Sequence, residues 1–379
     1  MAKMSNIRVW IDFYKDIVAK TVSNKSQVLF GLFLKRDILK IRLNFGYEFN
    51  LSRKRIIKLG IVRDALDYGI KFSLDNDILT MSAFPTSSFS VNVKKHTLEE
   101  ILNLISLYHE CIGAGLSLVS NEDLDEKSKK YSIIYDANER ILVVKNGDRF
   151  YVNSIIPGIL SETYISEIHK RGIDNFQSLK ILDVGANFGD SSIYFAKRGG
   201  SVWAVEPVKN NYAALRRNIS INNMSNIQTY NLAIGPVGKL SMNTKGQDLD
   251  GSASGFYLTG NDSFEEVSSM PVASFIDNFI GENVDFLKMD CKGCERFLTL
   301  TDLKKVTKYL HIEFDPYSSE EEIQQLIDLI HEAGFEGPIL NHNIDAGIGK
   351  SRSYGTLYGT RIPDNNSSIL EVKAHQIKK

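Results

Sequence analysis

The chain has 379 residues, 43% of them hydrophobic and 24% charged, so it can bury at least one sizeable core and lacks the composition of a disordered tract. Its three cysteines cannot form a disulfide framework. The apolar run 28–34 is far shorter than the roughly 20 residues that cross a bilayer, and the N-terminus has no signal-peptide core. These features predict a two-domain cytoplasmic protein.

The formal net charge of −1 hides an asymmetry between the two ends of the chain. Residues 1–70 contain 14 Lys and Arg against 6 Asp and Glu, a balance of +8 that leaves −9 for the remainder. Such a surplus is either a set of solvated helix faces or a surface that attracts a phosphate-bearing acceptor, a nucleic acid or an anionic lipid surface. Both interpretations stay open at this stage.

Residues 1–150 mix helical and strand patterns without a nucleotide motif, so we expect an N-terminal α+β domain of unknown role there. Apolar residues at helical spacing predict a helix over 9–22, and a second helix is expected over 97–111. Two segments, 39–51 and 141–152, each have the pattern of a strand, a glycine turn and a second strand.

The charged stretch 122–130 is the best linker candidate, and from Leu179 onward short apolar strands alternate with amphipathic helices. That alternation is typical of a parallel sheet covered by helices. The predicted strands are 180–184, 201–206, 227–234, 284–289, 308–314 and 354–361. The predicted helices are 189–198, 208–222, 274–280, 295–303 and 318–333. We therefore expect one doubly wound α/β domain over 151–379.

The first strand of this domain runs into a glycine turn that opens a helix. Glycines at 185 and 189 allow the backbone to approach a ligand closely. A dinucleotide fingerprint would place glycines at 185, 187 and 190, because a pyrophosphate rests on bare backbone at the helix N-terminus. Asn187 and Asp190 occupy two of these positions. The turn therefore argues against a dinucleotide.

Two carboxylates point to a different nucleoside ligand. Asp183 lies at the end of the first strand, and Glu206 ends the next strand, 21 residues after Gly185. At that distance an acid can accept hydrogen bonds from both ribose hydroxyls. An acid with a polar turn suits a ligand that carries a sulfonium and an amino acid but no phosphate. That ligand is S-adenosylmethionine.

Four motifs in order resemble the FkbM family of class I methyltransferases. They are Leu182–Ser192, Ala204–Val208 with Asn211, Tyr212 and Asn218, Asn231–Gly235, and Val284–Glu295. The resemblance covers about residues 155–362. It implies a Rossmann-like class I methyltransferase sheet of seven strands, mostly parallel, whose antiparallel last strand residues 355–361 could supply. It also implies O-methylation, often of sugar or natural-product hydroxyls.

By analogy with that fold, the first strand end and its turn would hold the methionine part of the cofactor. The residues assigned to this end are Asp183, Gly185, Asn187 and Gly189, and Asp190 is a further cofactor-binding candidate. Glu206 would bind the ribose, and Ala233 would line the adenine.

Methyl transfer to a hydroxyl is an in-line displacement, so the protein must align the acceptor and remove its proton. Asp290 ends the fourth strand, at the edge where open parallel sheets bind ligands, and is a candidate for acceptor positioning, general base or metal coordination. Glu295 follows Gly293 at a predicted helix start, so it is either a catalytic acid or a capping residue favoured by the helix dipole.

The fifth strand carries polar residues where a sheet covered on both faces should be apolar. His311 and Glu313 therefore point to the cleft, and His311 could act as the base because its ordinary pKa lies near working pH. Asp290 with Glu313 or Asp315 could bind a divalent cation through oxygen ligands, although no sequence spacing demands one.

Cys291 and Cys294 form a C-x-x-C motif, but a zinc site needs further ligands and only Cys111 is left over. Small residues that pack a tight turn are the default interpretation, and a redox pair is the alternative. Lys292 stands where the family often has Glu, which puts one acidic ligand of a cluster in doubt. Residues 241–269, rich in Gly, Ser and Asp, are expected to form an acceptor-binding lid.

The sequence thus leads to an S-adenosylmethionine-dependent methyltransferase, with O-methylation of a sugar, glycolipid precursor or other small polar hydroxyl acceptor as the preferred reaction. An RNA methyltransferase that grips phosphates with its basic N-terminal part is one alternative. A non-catalytic S-adenosylmethionine-binding protein is another.

Overall fold

The structure, a computed structural model, describes residues 13–83, 88–121, 132–144, 147–243, 264–314, 319–337, 339–345 and 351–361. Some sequence predictions fall outside these ranges. They are the linker at 122–130, the central part of the expected lid at 241–269, the start of the helix over 9–22, and Asp315. Within the described ranges, no helix is long and apolar enough to cross a membrane.

The strands are numbered here in chain order. They are β1 (Ile38–Arg42), β2 (Glu48–Ser52), β3 (Lys71–Asp75), β4 (Ile78–Ser82), β5 (Ser88–Asn92), β6 (Ser117–Ser120), β7 (Ser132–Asp136), β8 (Ile141–Val143), β9 (Arg149–Tyr151), β10 (Lys180–Val184), β11 (Ser201–Val205), β12 (Ile227–Tyr230), β13 (Ala233–Ile234), β14 (Gly238–Asn243), β15 (Phe264–Met270), β16 (Val284–Met289), β17 (Val306–Phe314), β18 (Phe335–Glu336), β19 (Ile339–Asp345) and β20 (Ser351–Arg361).

The helices are of three kinds. The α-helices are Ala19–Thr21, Lys25–Phe33, Leu59–Asp67, Leu98–Gly113, Pro157–Tyr164, Asp190–Lys197, Lys209–Ile221, Val272–Phe275, Leu300–Lys304 and Glu320–Glu332. The 3₁₀-helices are Arg53–Lys58, Ile168–Lys170 and Cys294–Phe297. The π-helical turns are Tyr14–Val18 and Ile276–Ile280.

The central sheet has the strand order β12-β11-β10-β16-β17-β20-β18, with β19 also paired to β20. The first five strands run parallel, and β20 runs antiparallel to β17. β18 and β19 pair with successive parts of β20, so together they fill one interrupted position. The described sheet therefore has seven positions, and the predicted mostly parallel α/β sheet with an antiparallel last strand is confirmed.

All six strands predicted from residue 180 onward are present, although the third is split into β12 and β13. The helices match as well, except that the one expected over 295–303 is two short helices. The break lies at Thr299, whose side chain accepts a hydrogen bond from the Asp302 amide while the Asp302 carboxylate accepts one from the Thr299 amide. This capping box starts a new helix, because it satisfies amides that an existing helix would not leave free.

The described part of residues 13–151 forms a β1-β2 pair, an antiparallel β3-β4-β5 sheet and a β6-β7-β8-β9 sheet around the helix Leu98–Gly113. Its side chains share one hydrophobic cluster with the central sheet. Tyr108 and Phe150 belong to this cluster together with Phe188 and Phe195. The predicted division of the chain at residue 150 stays a prediction, and the packing across it is continuous.

Asn218 joins the two parts through buried hydrogen bonds. Its side-chain oxygen accepts from the Tyr151 amide at 3.1 Å, and its side-chain nitrogen donates to the Phe188 carbonyl at 2.8 Å and to Ser154 Oγ at 3.1 Å. Asn218 is fully buried, so each of these groups would lose its partner without access to water if the amide were removed.

We expect Asn218→Ala to lower the free energy of unfolding by about 2–4 kcal/mol, because it leaves buried polar groups unpaired. Urea denaturation followed by circular dichroism would measure this change. Asn210→Ala, on the exposed side of the same helix, is the matched control and should cost less than about 0.5 kcal/mol. Equal losses in the two variants would contradict the joining role of Asn218.

Candidate functional site

A pocket opens at the carboxyl ends of β10, β11 and β16, the edge at which parallel sheets bind ligands. The helix Pro157–Tyr164 and the turn after it form its opposite wall. The pocket is lined by Ile159, Glu162, Thr163, Ile168, His169, Gly185, Asn187, Asp190, Glu206, Pro207, Val208, Asn211, Met242, Lys288, Asp290, Cys291 and Lys292. The lining includes four of the predicted cofactor residues (Gly185, Asn187, Asp190 and Glu206) and one predicted catalytic residue (Asp290).

The glycine turn after β10 brings two loops into backbone contact. Gly185 has φ +77°, and a Cβ at this position would lie 2.0 Å from the Asp290 carbonyl oxygen. Asn187, two residues on, also adopts a left-handed conformation, with φ +47°. Gly189 has φ +91°, and a Cβ there would lie 2.6 Å from Leu215 Cδ1. Gly189 does not line the pocket, so the structure gives it a packing role between two helices.

Glu206 extends from the end of β11 into the pocket wall. Its carboxylate accepts hydrogen bonds from the backbone amides of Asn187 and Val208, both at 2.9 Å. Burial raises the pKa of Glu206 to about 7, although these two amides oppose the shift. A carboxylate held in this way has a second lone pair on each oxygen for hydroxyl donors.

Asp183 lies beneath the pocket and does not line it. Its Oδ2 accepts hydrogen bonds from Ser191 Oγ at 2.7 Å and Ser192 Oγ at 2.6 Å, and its Oδ1 lies 3.2 Å from Lys288 Nζ. Asp183 is fully buried. Its predicted contact with the cofactor stays a prediction. Its carboxylate anchors the first turn of the helix Asp190–Lys197 and the ammonium group of Lys288.

Asp290 and Glu313 share one ammonium group at the other end of the pocket. Lys292 Nζ lies 2.5 Å from Glu313 Oε1 and 3.1 Å from Asp290 Oδ1. Burial acts to raise the pKa of Asp290, but Lys292 and Lys288 outweigh it and hold this pKa below its usual range. Burial and the nearby Asp290 raise the pKa of Glu313. The ion pairs leave Asp290 ionised and unsuited to accept a proton near neutral pH.

Glu162 is a pocket carboxylate that the sequence did not indicate. It lies half-buried on the helix Pro157–Tyr164, and in the described part of the chain no hydrogen bond or ion pair holds its side chain. Burial raises the pKa of Glu162 to about 7, and the negative charges of Asp290 and Glu313 raise it further than Lys292 lowers it. Glu162 precedes the four motifs, which is why no motif pointed to it.

Asp190, a predicted cofactor residue, is held by contacts with Thr163 that the sequence did not indicate. Thr163 Oγ1 donates to Asp190 Oδ2 and lies 3.2 Å from His169 Nε2. Burial raises the pKa of Asp190 to about 7, and burial and Lys288 keep the pKa of His169 well below its usual value. This chain of side chains fixes the helix Pro157–Tyr164 against the glycine turn, so it sets the width of the pocket.

The sequence analysis did not select Lys288 as a site residue, although the sequence contains a signal for it. It is the single lysine in the apolar strand β16, and the argument applied to His311, a polar residue on a buried strand, would have selected it. Burial acts to lower the pKa of Lys288, but Asp183, Asp290 and Asp190 outweigh it and raise this pKa above its usual value. Lys288 is therefore a fixed positive charge in the pocket wall.

The structure places His311 outside this pocket, so the candidate base predicted on β17 is corrected. Its Nε2 lies 3.0 Å from the Arg171 carbonyl oxygen, and its ring packs against Phe286 and Tyr358 with centroids 4.9 and 4.4 Å away. Burial lowers the pKa of His311 to about 3. A polar residue on a covered strand was expected to face a cleft. Here the hydrogen-bonding capacity of the imidazole is met by a backbone carbonyl instead.

Glu295 and Ala233 both lie outside the residues that line the pocket. Glu295 Oε2 accepts a hydrogen bond from the Gly293 amide at 2.9 Å, so the capping interpretation describes its position, away from the pocket lining. Ala233 packs with Met242 and Val267, and Met242 rather than Ala233 lines the pocket. The short strand β13 turns the alanine away from the ligand side, which the sequence pattern alone could not reveal.

Cys291 and Cys294 form a disulfide in the structure, which corrects the expectation of small residues that merely pack a turn. The two residues between them, Lys292 at φ +52° and Gly293 at φ +115°, both adopt left-handed conformations. This turn brings the two cysteine Cα atoms to 5.5 Å, a separation at which disulfides form. The disulfide closes the loop that carries Lys292 into the pocket.

The described residues contain no group of three His, Cys, Asp or Glu side chains that could hold a metal ion. Asp290 and Glu313 are brought together as predicted, but the ammonium group of Lys292 lies between them. The cation that these two carboxylates contact is therefore part of the protein itself.

The sequence from Asp183 to Glu336 matches the family model described as a methyltransferase FkbM domain. This part of the chain is a methyltransferase domain of that family, and the predicted resemblance is confirmed. The predicted class of enzyme, an S-adenosylmethionine-dependent methyltransferase, follows for the domain. The helix Pro157–Tyr164, which supplies Glu162, lies before the matched residues. A search of curated proteins found no significant match.

Solved structures that share this arrangement are remote in sequence. The M. jannaschii TYW2 protein in complex with AdoMet has 14% identity, covering 61% of this chain and 94% of its own, with a TM-score of 0.35. Magnesium protoporphyrin IX methyltransferase from Synechocystis with bound SAH has 11% identity, 56% and 87% coverage, and a TM-score of 0.32. An rRNA methylase from Streptococcus thermophilus has 8% identity, 52% and 96% coverage, and a TM-score of 0.33. At these scores we base no conclusion on them.

We expect Gly185→Ala to destabilise the protein by roughly 3 kcal/mol or more and to abolish ligand binding in the pocket, because the new Cβ meets the Asp290 carbonyl. Thermal unfolding would measure the loss. Gly172→Ala is the matched control, since Gly172 has φ +72° but open space around its Cβ position. That variant should cost only the backbone strain of about 1 kcal/mol. Equal costs would mean that close approach at Gly185 does not matter.

Proposed function

We propose that the protein transfers a methyl group from S-adenosylmethionine to a hydroxyl oxygen of a sugar, glycolipid precursor or other small polar acceptor. The observation that carries this proposal is the unpaired carboxylate of Glu162, in a pocket that also presents the Glu206 carboxylate. Glu206 suits the ribose of the cofactor, and Glu162 suits the proton of an acceptor hydroxyl.

The residues present fit the cofactor. Glu206 offers two carboxylate oxygens to ribose hydroxyls, and Gly185 and Asn187 line the same pocket. Met242 adds an apolar surface suited to the adenine. When bound, S-adenosylmethionine supplies an electrophilic methyl group on its sulfonium. The protein contributes alignment and the acceptance of one proton.

Glu162 is the best candidate for the general base. Its pKa of about 7 lies near working pH, so a large fraction is ionised and still basic enough to take a proton. Asp290 is held ionised by Lys292 and has a low pKa, and His311 lies outside the pocket. We assign to Asp290 and Lys292 the orientation of the acceptor through hydrogen bonds, since one accepts and the other donates.

The charge of this end of the pocket favours a neutral acceptor over RNA. The charge of Lys288 is matched by Asp183, and the single ammonium group of Lys292 is set against the carboxyl groups of Glu162, Asp290 and Glu313. An acceptor next to a phosphate would therefore meet net negative charge.

The basic surplus of residues 1–70 also gives less support to RNA than its size suggests. Part of it is neutralised from outside the segment, because Glu99 forms ion pairs with Arg55 and Lys58. Binding to RNA with a steep salt dependence would revive this alternative. A protein that bound the cofactor but transferred no methyl group would favour the non-catalytic alternative.

We expect the affinity for S-adenosylhomocysteine to fall about ten-fold between pH 8 and pH 6. The carboxylate of Glu206 accepts the ribose hydroxyls, and its pKa is raised to about 7, so this acceptor is lost as the pH falls through that value. Titration calorimetry in wild type, Glu206→Gln and the exposed control Glu266→Gln would measure the effect. Glu206→Gln should bind weakly at both pH values, whereas Glu266→Gln should follow the wild type. Unchanged affinity in Glu206→Gln would contradict the ribose role.

We expect Glu162→Gln to lower the rate of methyl transfer by about 100-fold or more while leaving cofactor affinity within about two-fold, because only proton acceptance is lost. The wild-type rate should rise with pH through about 7, where Glu162 ionises, and this limb should vanish in the variant. The measurement is transfer of labelled methyl groups from S-adenosylmethionine into fractions of cell extract.

Glu320→Gln, at an exposed helix start far along the chain, is the control for the loss of one carboxylate and should keep full activity. If Glu162→Gln kept the wild-type rate and pH profile, Glu162 would not be the base. If neither wild type nor control transferred label although the cofactor bound, methyl transfer itself would be refuted.

A further inference from the structure

The helix Lys25–Phe33 is apolar on two faces, only one of which is covered. Val28, Gly31 and Leu32 are buried at helical spacing. A Cβ on Gly31 would lie 2.6 Å from Leu39 Cδ2, so this face packs tightly against β1. Among the described residues nothing covers the opposite face, although a helix of a globular protein normally carries polar residues there.

The uncovered face continues past the end of the helix and forms what we call the apolar patch. Its members are Leu29, Phe30, Phe33, Leu34 and Ile38, exposed by 37, 57, 81, 48 and 64%. Nine large hydrophobic side chains are exposed in the described part of the chain, and five of them lie in these ten residues. Scattered exposed hydrophobic residues need no explanation, but a concentration of this kind marks an interaction surface.

Cations without ion-pair partners border the apolar patch. Lys35 and Arg36 follow the helix directly, both exposed, and the Arg36 guanidinium lies 6.0 Å from the centre of the Phe30 ring. In the described part of the chain neither makes a salt bridge, whereas the nearby Lys40 is paired with Glu48 at 2.9 Å. Residues 25–40 contain four Lys and Arg and a single acid, Asp37. The border of the patch is therefore positively charged.

A turn at Lys35 ends the helix within the apolar patch. Lys35 adopts φ +54°, and the amides of Lys35 and Arg36 donate to the carbonyls of Leu32 and Gly31, which closes the helix end. The chain reverses there and returns along β1, so Phe33 and Leu34 stand at the tip of the reversal. Phe33, next to this reversal, is the most exposed member of the patch at 81%.

We propose that the apolar patch docks the protein on an anionic membrane surface, with Phe30, Phe33 and Leu34 inserted among the lipids and Lys35 and Arg36 on the headgroup phosphates. Aromatic and aliphatic side chains beside basic ones are the composition of segments that lie in the interface of a bilayer. The positive border complements the negative charge of such a surface. This docking is independent of the transfer reaction proposed above.

The test is co-sedimentation of the full chain with vesicles of phosphatidylcholine alone or mixed with phosphatidylserine in a roughly 7:3 ratio. Wild type should bind the anionic vesicles at least about ten-fold more tightly than the neutral ones. The double variant Phe30→Ser/Phe33→Ser should bind anionic vesicles about ten-fold or more weakly than wild type. Lys35→Gln/Arg36→Gln should lose most of the preference for anionic vesicles.

The matched control is Val237→Ser, which removes a hydrophobic residue exposed by 81% elsewhere and should bind as wild type does. Cofactor affinity and melting temperature, which should be unchanged in every variant, show that each one folds.

Absence of vesicle binding by wild type would overturn the proposal. Equal binding by wild type and Phe30→Ser/Phe33→Ser would do the same. A third contradicting result is self-association of wild type in sedimentation velocity without vesicle binding, if Phe30→Ser/Phe33→Ser abolishes that self-association. The patch would then be an interface between two copies of the chain.

Discussion

A buried ion pair between two neighbouring strands fixes the geometry of the pocket. Asp183 on β10 and Lys288 on β16 are direct partners in the register of the two parallel strands, and their charged groups lie 3.2 Å apart. Ser191 and Ser192 bring the following helix to the same carboxylate. Breaking one partner of such a pair typically costs about 3–5 kcal/mol, because the other charge stays buried alone. Both strand ends and the helix start are thereby held at one point.

The loops above this ion pair have little freedom. Gly185 must pass the Asp290 carbonyl without a side chain, and Asp290 is tied through Lys292 to Glu313 on the next strand. The disulfide between Cys291 and Cys294 closes the same loop. A site that aligns two reactants benefits from such restraint, since a misplacement of about 1 Å can cost a large part of the rate.

The pocket is completed by a helix that lies outside the residues matched to the methyltransferase domain. The helix Pro157–Tyr164 brings Glu162 and Thr163 to the wall opposite the sheet, and Thr163 connects to Asp190 of the glycine turn. Its own position depends on the shared core, where Tyr164 packs against Phe150. The segment before the matched residues therefore helps to build the pocket.

The sequence alone determined the central sheet and the part of the pocket that the glycine turn and Glu206 line. Strand and helix periods, the glycine turn and the spacing to Glu206 are local or follow from one fold, so pattern and resemblance were enough to find them. The tertiary structure decided what distant residues do to one another. In the folded chain Asp183 pairs with Lys288, His311 contacts a backbone carbonyl, and Glu162 lines the pocket. These outcomes depend on burial and on charges far apart in the chain, and a sequence pattern carries neither.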